Sequence, residues 1–125
     1  MHELGIVFHI IRTVEDTGRA NRIRRVSAVT LELGEVSGVV GDYLQDCWKW
    51  AAARSEMLAG AELRVETIPA RTLCEACGEV YPTLPQGRIC PVCGSDRTHL
   101  IQGNEMLIRE IAVPDEPPDA ESTSA

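Results

Sequence analysis

Two Cys-x-x-Cys-Gly segments, Cys74-Glu75-Ala76-Cys77-Gly78 and Cys90-Pro91-Val92-Cys93-Gly94, stand eleven residues apart in a chain of 125. Two intervening residues let both sulfurs of one turn face a single point. The glycine that follows can take a left-handed conformation that aims backbone N–H groups at the thiolates. A pair of such turns brings four sulfurs into a tetrahedron with no open position, which is a closed, structural site. Zinc suits this donor set, with iron in a rubredoxin-like four-cysteine site as the main competitor because thiolates accept both metals. Two disulfides or a thioredoxin-like redox pair are the remaining readings; a reducing compartment argues against the disulfides. The insert from Leu73 to His99 carries Val80, Tyr81, Leu84 and Ile89 as its large apolar residues between the turns. A piece this small usually needs a metal or disulfides to fold, so zinc here would be folding energy.

Around the insert the periodicity is clear. Leu4, Val7, Phe8, Ile11 and Val14 recur at helical spacing, and the helix should stop near Gly18. From Arg24 to Leu33 the pattern alternates, with Val29, Leu31 and Leu33 on one face, as in a half-buried strand. Asp42 can cap a second helix with a buried face of Leu44, Cys47, Trp48, Ala51 and Ala52, ended by Gly60. Cys47, the fifth cysteine, is therefore expected as an inert buried thiol. Leu63, Val65 and Thr67 mark a second strand and Met106–Val113 a third; Pro114, Pro117 and Pro118 open an acidic tail expected to be disordered. The expected fold is α+β: a small three-stranded mixed sheet packed by two helices, with an inserted four-cysteine zinc-ribbon lobe. Residues 1–69 and 104–113 would form the body, 70–103 the zinc-binding lobe and 114–125 the tail. Strand order is not readable from the pattern, although a β-α-β crossover permits a parallel pair.

Charge narrows the function. Four of the seven net negative charges sit in the tail, on Asp115, Glu116, Asp119 and Glu121. The densest basic run is Arg22, Arg24 and Arg25, read as a solvated strand start. No basic footprint for nucleic acid exists, and the lobe sets Arg88 and Arg97 against Glu75, Glu79 and Asp96, unlike a nucleic-acid-binding zinc ribbon. The apolar stretch from Leu4 to Ile11 lacks the basic lead and cleavage site of a signal peptide, and no segment approaches the ~20 apolar residues of a membrane span. The expected setting is cytoplasmic, without membrane contact. No open metal site, nucleophile–histidine pair or phosphate-cradling loop points to an enzyme.

The first residues, Met1-His2-Glu3, place an imidazole one peptide unit from the α-amine. The amine, the amide nitrogen of His2 and its Nδ1 can close adjoining five- and six-membered chelate rings, with the amide of Glu3 as a fourth nitrogen. Such a tetragonal all-nitrogen set suits Ni(II) or Cu(II). Alone, a histidine here reads more simply as an exposed residue at a frayed end.

Together with the rest of the chain it means more. The stretch from residue 1 to about 113 resembles the HypA/HybF family of hydrogenase nickel-insertion proteins. The resemblance is carried by Met1-His2-Glu3-Leu4, by Leu31-Glu32-Leu33-Gly34-Glu35 and the small-residue turn after it, by both cysteine turns, and by Glu105-Met106-Leu107-Ile108-Arg109-Glu110-Ile111. It implies a nickel metallochaperone for [NiFe] hydrogenase maturation, with nickel as cargo at His2 and structural zinc at Cys74, Cys77, Cys90 and Cys93. It also implies partners: a GTPase accessory protein that supplies nickel, the hydrogenase large-subunit precursor that receives it, and in some members urease maturation proteins. A homodimer is left open. Glu3 is read as a support for the nickel site, His99 as a surface residue at the exit of the lobe with thiolate exchange as its alternative, and His9 as solvent-exposed.

Overall fold

The computed structural model describes residues 3–39 and 41–114. Helix α1 (Glu3–Ala20) is followed by β1 (Ala28–Gly34), α2 (Gly41–Ala52) and β2 (Glu62–Ile68). The insert contributes β3 (Arg71–Cys74), β4 (Val80–Pro82), a single-turn α3 (Thr83–Gln86) and β5 (Thr98–Gln102), and the chain returns as β6 (Met106–Ala112). The strands form two three-stranded sheets, ordered β2-β1-β6 and β4-β3-β5. The expected mixed sheet with two helices is therefore present, joined by a second small sheet within the insert that periodicity did not announce.

In the first sheet β1 is central, parallel to β2 from Ala28↔Glu62 to Gly34↔Ile68 and antiparallel to β6. The parallel pair follows from its connection, because α2 is a crossover long enough to return the chain in the same direction. The helices cover one face, where Ile6, Val7, Ile10, Ile11 and Val14 of α1 meet Val29, Leu31, Leu33, Leu44, Trp48, Leu58 and Leu63. The indole N–H of Trp48 donates to the carbonyl of Ala61 at 2.8 Å, so its polar atom is satisfied inside the core. On the solvent face Arg109 of β6 pairs with Glu66 of β2 across the central strand.

Three expectations are corrected. The buried stripe of α1 is built on Ile6 and Ile10 beside Val7, Ile11 and Val14, whereas Leu4 and Phe8 are 37% and 42% exposed. The helix is apolar over more than one stripe, and the sheet selects the one it covers. The strand begins at Ala28, where pairing with Glu62 and Ala112 begins, so Arg24 and Arg25 lie ahead of it and exposed. Finally α2 ends at Ala52, well before Gly60, and Asp42 lies in its first turn. The segment beyond is fixed by the Ser55 hydroxyl, which donates to Glu15 at 2.7 Å and accepts the N–H of Leu58 at 3.2 Å.

Candidate metal centre

The second sheet positions the cysteines. Strand β3 ends on Cys74, whose N–H donates to the carbonyl of Glu79, and the turn closes with the N–H of Gly78 on the carbonyl of Cys74, both at 2.8 Å. The second turn repeats this closely: Cys90 N–H to Ser95 O and Gly94 N–H to Cys90 O, both at 2.9 Å. Gly78 and Gly94 have φ of +82° and +76°, the left-handed region a side chain would strain. The two halves are held side by side by Glu75 N–H on Arg97 O at 2.8 Å, and by the Thr98 hydroxyl on Arg88 O at 2.7 Å.

The result gathers all four expected ligands. Their sulfurs lie within 4.8 Å of one another, with Cys74–Cys93 and Cys77–Cys90 each at 3.6 Å. A tetrahedron of Zn–S bonds near 2.3 Å puts sulfurs about 3.8 Å apart, whereas a disulfide needs about 2.05 Å. Cys74 and Cys90 are buried, while Cys77 and Cys93 are exposed. Among the described residues this is the one cluster of three or more His, Cys, Asp or Glu side chains near enough to share an ion.

Electrostatics show why a cation fits. The Cys77 thiol is acted on most by the N–H of Glu79, which favours its thiolate, but removal from water and the neighbouring sulfurs of Cys90, Cys93 and Cys74 push it up to about 12. For Cys93 the N–H of Ser95 lowers, and desolvation with Cys74 raises; the net is upward. Cys90 moves the other way, to about 7: burial opposes its charge, but the N–H groups of Cys93 and Val92 and the adjoining thiols overcome that cost. Four thiols so close cannot all ionise by themselves. A divalent ion at their centre supplies the missing charge, and the four would hold zinc with no place for a substrate.

The lobe offers little else to fold on. Its buried cluster is Cys74, Tyr81 and Cys90, and Tyr81 directs its hydroxyl to Gly87 O at 3.0 Å. His99 lies on β5, exposed, with Nδ1 2.9 Å from Glu75 Oε2, and outside the four-sulfur cluster. Cys47 is buried in the core of the body, as expected, and His9 is exposed. His2, the expected nickel ligand, lies outside the described residues. Glu3 opens α1 and is only 6% exposed. It lines a surface groove of about 340 Å³ with Leu4, Gly5, Phe8 and Tyr43. The stacking of Arg54 on Trp50, at 3.8 Å, and the edge contact of Phe8 with the same ring were not legible in the sequence.

A helix-covered mixed sheet bearing a lobe with four gathered cysteines defines a small metal-binding α+β protein. Residues 1–113 match the family described as "Hydrogenase/urease nickel incorporation, metallochaperone, hypA", and the chain belongs to that family. It is 36% identical over 113 residues to the hydrogenase maturation factor HypA of Geobacter metallireducens, covering 90% of this chain and 99% of that one. The corresponding factor of Chlorobium phaeobacteroides is 37% identical with the same coverage. The solution structure of the Ni metallochaperone HypA from Helicobacter pylori superposes with a TM-score of 0.69 at 23% identity, over 93% of this chain and all of that one. A second HypA solution structure gives 0.72 at 22% identity, over 93% and 98% of the two chains.

Proposed function

We infer that this chain carries Ni(II) to [NiFe] hydrogenase under assembly and uses its four-cysteine lobe as a zinc-held platform. The observation that carries the reading is family membership across residues 1–113, combined with a closed sulfur site that leaves nickel to be held elsewhere. Nickel is cargo, bound by the terminal amine, the amide and Nδ1 of His2, and the amide of Glu3. Residues 1–69 and 104–113 serve as the nickel-binding body, 70–103 as the zinc lobe held by Cys74, Cys77, Cys90 and Cys93, and 114–125 as an acidic tail.

The protein acts as a carrier and catalyses no reaction. Its partners are a nickel-supplying GTPase accessory protein and the hydrogenase large-subunit precursor, with urease maturation proteins as a further destination, and its setting is the cytoplasm. Exposed apolar residues of the lobe, Val80, Leu84, Ile89, Val92 and Ile101, provide surface suited to protein contact. In cells with a nickel-dependent hydrogenase, His2→Ala should give inactive, nickel-poor enzyme that partly recovers with excess nickel, while zinc content of the variant stays normal. Fully active hydrogenase at low nickel would contradict the reading.

A further inference from the structure

The Gly34-Glu35 end of the Leu31-Glu32-Leu33-Gly34-Glu35 segment belongs to neither metal set, yet it sits where the chain leaves and rejoins the larger sheet. Between β2 and β3 lie only Pro69 and Ala70, and between β5 and β6 only Gly103, Asn104 and Glu105. Two such short links would bend at a few backbone torsions if nothing held them. They are held closely. A Cβ on Gly34 would come within 2.0 Å of the Gly103 carbonyl oxygen, and one on Gly103, at φ +111°, within 2.4 Å of Ala70 Cα. Three backbone segments therefore touch with no side chain between them.

The end of β1 and the two residues after it tie the neck together. Glu35 N–H donates to Ile68 O at 2.8 Å and Val36 N–H to Gly103 O at 2.9 Å, while Gly34 N–H reaches Glu105 O at 2.8 Å. Each link also gives one N–H to a carboxylate: Ala70 to Glu35 Oε1 at 2.8 Å, and Gly103 to Glu105 Oε1 at 2.9 Å. Charged acceptors make the stronger kind of hydrogen bond. The tying segment then runs into α2, whose Tyr43 lines the groove with Glu3. One stretch of chain thus connects the neck of the four-cysteine lobe to the start of α1.

We propose that Glu35 is a positioning residue that, with Glu105, locks the four-cysteine lobe at one angle to the body, so that a partner meets both as a single rigid surface. The lock is a matter of geometry; its consequence for delivery rests on the nickel-carrier reading.

The test is amide residual dipolar couplings on the full, zinc-loaded chain. One alignment tensor should fit both units of the native protein, and Glu35→Ala should lose that common tensor while keeping its zinc and its nickel affinity. Glu35→Gln keeps an acceptor oxygen and should retain the native tensor. Should Glu35→Ala fail to fold, Glu105→Ala removes the second carboxylate and should show the same loss. A common tensor preserved in the folded alanine variants, or lost equally in Glu35→Gln, overturns the lock. Loss of nickel affinity with the tensor intact overturns it too, by assigning Glu35 to the nickel site. If the native chain took up no nickel, the carrier reading would fail, and the tensors would still decide the lock.

Discussion

Removing zinc should unfold the lobe and leave the body standing. The structure gives the reason in its two buried clusters: among the described residues the body has eighteen buried core residues, drawn from both helices, β1, β2 and the segments that flank them, and the lobe cluster has three, of which Cys74 and Cys90 belong to the four-sulfur set. Apart from the small Ala70 and the polar Thr72, Tyr81 is the one buried side chain outside the sulfur set among the described lobe residues. Burying its ring contributes about 1.5–3 kcal/mol, and its hydrogen bond to Gly87 O adds about 0.5–1.5 kcal/mol net. Structural zinc in small metal-dependent units is worth about 10–16 kcal/mol at neutral pH, several times more. An excess of chelator should therefore move the ¹H–¹⁵N cross-peaks of β3, β4 and β5 to random-coil positions, with those of α1, β1, α2 and β2 little changed. Far-UV ellipticity should report the same division, because α1 and α2 hold 18 and 12 helical residues and α3 only 4. Native lobe shifts in a chain verified to be metal-free, or collapse of the body along with the lobe, would refute this reasoning.

Zinc uptake should release protons. Cys77 at about 12 and Cys93, also raised, are both protonated at pH 7. Thiols of an unfolded lobe, near 8.5, are largely protonated there too. With at least two protons displaced, apparent zinc affinity should rise at least about 100-fold per pH unit near neutrality, and a competition titration showing no pH dependence would contradict the four-thiolate site. Trp48→Phe leaves the buried Ala61 carbonyl without its donor and should cost about 1–3 kcal/mol, read as a lower urea midpoint at unchanged zinc content. Gly34→Ala forces a Cβ against the Gly103 backbone and should cost about 3 kcal/mol or more; an unshifted thermal midpoint would show that the neck can open without loss.

The body was legible because its apolar residues repeat at the periods of helix and strand. Where structure departs from periodicity, the cause is local. Helix α1 carries Leu4 and Phe8 as well as Ile6 and Ile10, so sequence alone offers more than one stripe, and packing against the sheet selects among them. The lobe strands β3, β4 and β5 have four, three and five residues, too short for alternation to register, and they end at cysteines and turns rather than on an apolar face. The gathering of the four cysteines was legible, since two turns of duplicated spacing, each followed by a glycine, can bring their sulfurs to one point. Its second layer was not: the donors to Cys77 and Cys93 are backbone N–H groups of Glu79 and Ser95, which any residue type except proline supplies. The roles of Glu35 and Glu105 were hidden for a similar reason. Their acceptors' partners are the main-chain N–H groups of Ala70 and Gly103, distant in sequence from Glu35 and carrying no side-chain signature.

Nickel held by the terminal amine and His2 can be tested without altering a single side chain. Native, zinc-loaded protein and a form extended by Gly-Ser ahead of Met1 are titrated with Ni(II) under the same conditions, with zinc followed in parallel. The extension turns the Met1 amine into a peptide amide and moves the free α-amine two residues away from His2, with every native side chain kept. The native chain should take up one exchangeable nickel and keep one zinc, and the extended chain should keep its zinc and lose tight nickel binding. Nickel bound as tightly by the extended chain would place the cargo elsewhere and contradict the N-terminal site.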